Sequence, residues 1–569
     1  MAAARALPRA RGLWHDPAMD RRLADLAKDL GLDPESRAYI PYGHDFAKID
    51  TVAAGDGEQR GNLVVVSAVT PTPLGEGKTV TSISLSMGLS RIGAACVACL
   101  RQPSLGPVFG AKGGGAGGGR AQVVPADRVN LGGTGDGQAI GAAHNLLAAM
   151  LDAHLRHGNE LRIDPQKIAW PRVTPVNDGS LRRVITGLGG PLNGVPRESF
   201  FEINEASEVM AILALAQDRG DLRRRLGAIV VGSDQGGAPV RAEQLGAAGA
   251  MSVLLRDALY PTLARTSEGT PVLLHAGPFA NIAHGNSSLI ATRWALTRAP
   301  WVVTECGFGS DLGLEKFVHI KARLGGLRPA CVVVVCTIRA LKVHAGLAKA
   351  VLGKPLDQAV LTEDVAAVER GAANLRHHLR IAQNFGPPVV VALNRFPSDT
   401  AAEIAVVEAI AREAGAGFAV HTGFADGGAG AEALARAVVQ AARPTDLNFQ
   451  YEGTGPLAQR LERLARNVYG ADGIDLSPAA RSRIKQLEDW KLGDLQLCVA
   501  KTHLATTHDP ADGGLPRRFT LPVRDVLLRA GAGFATVLTG ELTTLPALGK
   551  RPNAVDMDLD PATGAARGL

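Results

Sequence analysis

A chain of 569 residues exceeds what one hydrophobic core can organise, because cores stop growing at roughly 250–300 residues, so two or three domains are expected. Lys and Arg number 61 against 55 Asp and Glu, a net +6 that is small for the length and lacks basic runs, which argues against a nucleic-acid groove and for small anionic partners. The 46% hydrophobic residues, 67 glycines and only 4% aromatics suit an α/β protein with close helix–sheet packing and loops that approach ligands.

Residues 1–14 are rich in Ala and Arg and poor in acids; a flexible extension over 1–18 is expected, with Met19 a candidate start. Leu23, Leu26 and Leu30 recur at helical spacing before Gly31, which predicts an amphipathic helix over 19–31. A β-branched run at 61–68, a Pro/Gly turn, a helical stretch at 80–89 and an apolar run at 94–100 form a βαβ unit, hence a parallel sheet covered on both faces. Strand-like runs follow at 226–231, 271–275, 301–305, 330–336 and 388–393, so there is one large sheet or two. The apolar runs at 226–232 and 331–336 are far shorter than the ~20 residues of a membrane span, and no membrane partner is expected. Past residue 430 the pattern changes to a charged helix near 457–469 and short strands near 495–500, 519–526 and 534–538. The expected division is an extension at 1–18, a P-loop α/β domain at 19–300, a second α/β domain at 301–445, and a small C-terminal domain at 446–569. Six scattered cysteines, including Cys96 and Cys99 in an apolar run, read as buried thiols of a reducing compartment.

The strongest chemical signal is T-P-T-P-L-G-E-G-K-T at 70–79, set directly between a buried strand and a helix. Gly75 and Gly77 let backbone N–H groups point into the loop formed by Thr72, Pro73, Leu74, Gly75, Glu76 and Gly77; Lys78 can reach a β or γ phosphate and the Thr79 hydroxyl can hold Mg²⁺. Together these fit MgATP, although Thr72 stands where the usual phosphate-loop pattern has glycine. One βα step later Arg101 ends the next strand, where it can clamp an anion beside Lys78. The run K-G-G-G-A-G-G-G-R at 112–120 reads as a ligand-hugging loop or a hinged lid, and Asp136 as a base, a metal partner or a helix cap. His275 and His284, alone in their segments, read as structural.

Eight segments occur in order: T-P-T-P-x-G-E-G-K-T, R-x-P-S-L-G-P-V-F-G-x-K-G-G, T-G-D-x-x-A-I-G-A-A-x-N-L-L, L-N-G-V-P-R-E, G-P-F-A-N-I-A-H-G, T-I-R-A-L-K, L-N-R-F-P-x-D-T and A-G-A-G-F. Together the chain resembles formate–tetrahydrofolate ligase from about residue 20 to residue 555. The resemblance implies an ATP-dependent cytoplasmic ligase that phosphorylates formate and passes the formyl group of formyl phosphate to tetrahydrofolate. It also implies a homotetramer and possible activation by a monovalent cation. Lys78 and Arg101 match the family's phosphate and formyl-phosphate ligands, Phe308 a contact beside the nucleotide, and Phe396, Pro397 and Phe424 the walls for the flat pterin.

Departures from the family pattern gather near the expected chemistry. Gln102 stands for an acid, Gly132 and Gln138 for histidines, Gly133 and Phe424 for an aromatic and a Trp, Arg120 for Tyr and His144 for Asn. The usual I-T-V-A-S-E reads I-N-E-A-S-E, which introduces Asn204 and Glu205. Two other readings compete with simple ligase activity: a ligase of the same fold acting on another small carboxylate or amine, and a non-catalytic folate-binding relative, against which the intact Lys78 and Thr79 argue.

Overall fold

The computed structural model describes residues 22–55, 57–110, 115–348 and 355–569. The expected extension at 1–18 and the first part of the 112–120 run lie outside them. The predicted first helix is present as α1 (Leu23–Asp29), burying Leu23 and Leu26.

Twelve strands form one sheet: β1 (Tyr39–Tyr42), β2 (Phe46–Ile49), β3 (Asn62–Ala68), β4 (Cys96–Leu100), β5 (Gly117–Gly118), β6 (Ala121–Val124), β7 (Thr262–Thr266), β8 (Pro271–Leu274), β9 (Trp301–Glu305), β10 (Pro329–Cys336), β11 (Val389–Asn394) and β12 (Gly417–His421). Their order is β1-β2-β7-β8-β4-β9-β3-β10-β11-β12, with β6 on β7 and β5 on β6. The seven strands from β8 to β12 in that order are mutually parallel, and β1, β2 and β7 add an antiparallel edge. Strands from both sides of residue 300 thus share one sheet.

Burial on both faces explains why β3 is a continuous β-branched run rather than an alternating one. Leu63 and Val65 pack on one face with Leu375 and Leu379 of α4 (Val365–Asn384). Val64 and Val66 pack on the other with Leu85 and Leu89 of α2 (Lys78–Arg91) and Leu434 and Val438 of α5 (Glu432–Ala441). Each fully buried Val or Leu contributes up to about 1.5–3 kcal/mol relative to exposure. Helix α2 is rich in Ser and Thr and has little intrinsic preference to be helical; Ser82, Ser86 and Ser90 bond back to main-chain carbonyls one turn earlier, and tertiary packing fixes the helix.

Two expectations change. The run at 226–231 is not a strand of the central sheet: residues 226–228 close a helix (Arg219–Ala228), and Val230–Ser233 pairs only with Pro239–Arg241. The run at 519–526 is two strands, Thr520–Val523 and Asp525–Arg529, which join different ladders. Beyond residue 446 these ladders, Gly473–Leu476 with Thr520–Val523 and Gln496–Ala500 with Phe534–Leu538 and Asp525–Arg529, share the large core with α4 and are tied to the centre by a buried Lys501–Asp311 pair at 2.7 Å. Among the described residues no helix is long and apolar enough to cross a membrane.

Candidate active site

The chain leaves β3 for β4 in one direction across the sheet and later passes from β9 to β10 in the other, so β3 sits where the topology reverses. In open α/β sheets such a point, at the carboxyl ends of the strands, is where ligands bind. All the sequence-predicted residues except Asp136 follow the carboxyl end of a parallel strand: 72–79 after β3, Arg101 after β4, Phe308 after β9, Phe396 and Pro397 after β11, and Phe424 after β12.

The loop closes on itself. The Thr72 N–H and hydroxyl both donate to Glu76 Oε1, at 2.7 and 3.0 Å, and the Gly75 N–H donates to the Thr72 carbonyl at 3.0 Å. Glu76 is therefore an internal brace. Burial pushes its carboxyl up, while the charge of Lys78 and the Thr72 hydrogen bonds pull the other way. Gly77 caps α2 at φ 79, and a Cβ there would lie 2.5 Å from Asn394 Nδ2, which itself donates to the Glu76 carbonyl at 3.1 Å. Only glycine satisfies both the positive φ and that approach. The chain entering the loop is anchored from behind: Asn374 and His378 of α4 bond Thr70, and the His344 Nε2 lies 2.8 Å from the Thr70 carbonyl. Burial lowers His378 to about 3, so it is neutral, accepting from the Ser310 N–H at Nδ1 and donating to Thr70 at Nε2.

Glu305, the last residue of β9, joins the loop to the neighbouring strand. Its Oε2 accepts from the Thr79 hydroxyl at 2.8 Å, and its Oε1 accepts from Arg101 at 3.3 Å. Arg101 is thereby brought beside α2, as the sequence suggests, and its Nε is buried with no partner among the described residues. The Thr79 hydroxyl and the Glu305 carboxylate form a hard-oxygen pair suited to Mg²⁺, which prefers one or two protein oxygens completed by phosphates. No cluster of three or more His, Cys, Asp or Glu able to hold a metal occurs among the described residues. Glu305 escaped the sequence reading because an acid ending W-V-V-T-E carries no motif; only strand adjacency reveals it.

The aromatics occupy distinct positions. Phe308 holds a positive φ of 62, rare for a bulky residue, and stacks on His503 at 4.3 Å. The Arg339 guanidinium covers one face of Phe396 at 3.9 Å, and the Phe396 N–H donates to Asp399. Phe424 is 58% exposed. Its carbonyl accepts from the Arg120 N–H, and a Cβ on Gly118 would lie 3.1 Å from its ring, so the end of the glycine run lies flat against it.

Asp136 stands apart from the strand ends. It is the first residue of α3 (Asp136–Arg156), is 2% exposed, and accepts from Lys48 Nζ at 2.6 and 2.7 Å and from the Thr134 hydroxyl at 3.2 Å. A carboxylate so engaged is an ion-pair partner at a helix N-terminus rather than an open base. His275 is likewise saturated, by Ser288 and the Ala258 carbonyl, while His284 is buried with neither ring nitrogen partnered among the described residues. His144, between Ser207 and the Pro171 carbonyl and stacked on Trp170, is structural.

The family described as formate–tetrahydrofolate ligase matches residues 16–569. The formate–tetrahydrofolate ligase of Desulforamulus reducens is 51% identical over 542 residues, covering 95% of each chain. That of Paracoccus denitrificans is 49% identical, covering 96% of this chain and 97% of its own. That of Acidiphilium cryptum is 50% identical, covering 96% and 98%.

Proposed function

The chain belongs to the formate–tetrahydrofolate ligase family, and from that premise we propose that the cleft at the strand ends ligates formate to tetrahydrofolate at the expense of ATP, giving 10-formyltetrahydrofolate, ADP and phosphate. The observation that carries the site assignment is the Thr79–Glu305–Arg101 bridge, which sets the phosphate loop and an anion clamp on one carboxylate.

Formate is a poor acyl donor because oxide is a poor leaving group. A formate oxygen attacks the γ-phosphorus, ADP leaves, and the formyl carbon now carries phosphate as its leaving group. The N10 amine of tetrahydrofolate then attacks that carbon. Lys78 and Arg101 supply fixed positive charge where phosphoryl oxygens gather negative charge, and loop N–H groups at the start of α2 add to it. Thr79 and Glu305 would hold the Mg²⁺ that accompanies ATP, whose chemistry is charge neutralisation on the phosphates. Phe396, Pro397 and Phe424 form the apolar wall for the pterin, supported by the exposed ring of Phe424, which follows the strand paired with the one that Phe396 follows. Phe308 lines the nucleotide side. Asp136 enters as a positioning residue, because Lys48 engages its carboxylate. We also infer a cytoplasmic homotetramer, supported by the family resemblance and by the exposed apolar tip Ile185, Leu188 and Leu192.

The test is ADP and 10-formyltetrahydrofolate formation with each substrate omitted in turn and acetate substituted for formate. 10-Formyltetrahydrofolate is expected only with all three substrates, and Lys78→Ala should lower turnover by at least ~10²-fold. Undiminished formylation by that variant would remove the loop from the mechanism.

A further inference from the structure

The departures from the family pattern are scattered in sequence, yet five of them line one pocket: Gln102, Gly132, Gln138, Asn204 and Glu205. Gln102 Nε2 donates to the Gly132 carbonyl at 2.8 Å, and the Gln138 carboxamide lies 3.8 Å from where a Gly132 Cβ would be. Asn204 Nδ2 donates to the Gly137 carbonyl at 2.9 Å, across the pocket from β4. Glu205 sits in a single helical turn (Asn204–Ala206), 5% exposed, and its Oε2 has no hydrogen-bond partner among the described residues. Where the resemblance leads one to expect an acid at 102, two imidazoles and an apolar residue at 205, this chain has no imidazole and its one buried carboxyl stands at 205 instead.

We propose that Glu205 is this chain's proton acceptor for the amine of the folate substrate during formyl transfer, replacing titratable groups absent at 132 and 138. This rests on the ligase reading above. As the N10 lone pair attacks the formyl carbon, the C–N bond forms and the carbon–oxygen bond to phosphate breaks, its electron pair leaving with the phosphate. The amine proton passes to the Glu205 carboxylate, which then releases it to solvent. Gln102 follows Arg101 directly, so the pocket borders the anion clamp where the formyl phosphate is expected.

The proton affinity of the group suits the task. Burial pushes the Glu205 carboxyl up to about 7, with a hydrogen bond from Ser104 pulling the other way. Among the described residues no other titratable side chain lines the pocket. Of the charged groups nearest in sequence, Arg101 is tied to Glu305, Asp136 to Lys48, and Glu208 to the Gly531 and Ala532 N–H groups and the charge of Arg529. A base with this affinity is part ionised and part protonated near neutrality, the condition under which general-base catalysis is most effective.

The experiment compares the wild type with Glu205→Gln and Glu205→Val, reading two rates across neutral pH. One is formyl transfer with tetrahydrofolate; the other is formate-dependent ADP formation in a single turnover without folate. The wild-type transfer rate should rise with pH through an inflection near 7. Both variants should lose the inflection and ~10²–10⁴-fold of the transfer rate, with ADP formation and MgATP binding unchanged. A variant that keeps the rate and the inflection, or that loses both rates equally, overturns the proposal. Should neither variant fold, a wild-type transfer rate indifferent to pH around 7 overturns it. A wild type that forms no formate-dependent product at all sinks the ligase reading itself, which is a separate result.

Discussion

At the scale of single residues, the two buried carboxyl environments behave in opposite ways. Asp136 faces a lysine and stays in an ion pair; removing either partner would leave a lone buried charge at a cost of about 3–5 kcal/mol. Glu205 faces carboxamides, and burial decides its protonation. Because its folded value is raised from 4.5 to about 7, the stability it contributes is intact below the unfolded value and is lost as pH rises through neutrality. Glu205→Gln should therefore match the wild type in denaturant unfolding near pH 4.5 and exceed it by up to about 3 kcal/mol above pH 8. Equal stability at both ends would show that the carboxyl is not desolvated. At this scale the gathering of Lys78, Thr79 and Arg101 at the carboxyl ends of the strands was legible in the sequence, because a glycine-rich turn between a buried strand and a helix fixes where they fall. Glu305 and Glu205 were not, since their roles arise from neighbours about 200 and 100 residues away in the chain. Gly132 stands where the resemblance expects a histidine, and its φ of 94 is a conformation that side chains rarely adopt, so a histidine placed there would strain the turn.

At the scale of elements, periodicity located strands well wherever both faces are buried, as at β9 and β10, because those runs are uninterrupted apolar stretches. It failed at 226–231, where an apolar helix end followed by a short strand mimics one longer strand. Strand β12, G-F-A-V-H, passed unnoticed for being short and partly exposed, yet it carries Phe424 to the cleft. Since the Phe424 ring is mostly exposed and touches the loop at Gly118, its removal should affect the folate side without disturbing the nucleotide loop. Phe424→Ala is expected to raise the tetrahydrofolate KM about tenfold, the worth of one aromatic stacking contact, with MgATP affinity within about twofold of wild type. Phe424→Trp should lower that KM. Steady-state kinetics with each substrate varied decides this, and a loss confined to ATP would place the ring elsewhere.

At the scale of the whole molecule, α/β class was legible from the alternation of apolar runs and helical stretches, but strand order was not, because pairing partners are chosen by long-range packing. The order has a consequence for synthesis. Both neighbours of β3, namely β9 and β10, are made after residue 300, and β9 also separates β3 from β4. At about 5–20 residues per second, the ribosome releases the L-V-V-V segment and its phosphate loop some ten to fifty seconds before either edge of that strand can be paired. For that interval the nascent chain carries a doubly open hydrophobic strand, the kind that seeks partners in other chains. A chain stopped at residue 300 should thus show no hydrogen-exchange protection across 63–67, bind no ATP and aggregate on release, whereas protection there would mean that another segment lends a temporary edge. The nucleotide site is in this sense a late product of translation: its loop is among the first parts written, and it acquires shape only when more than half of the message has been read.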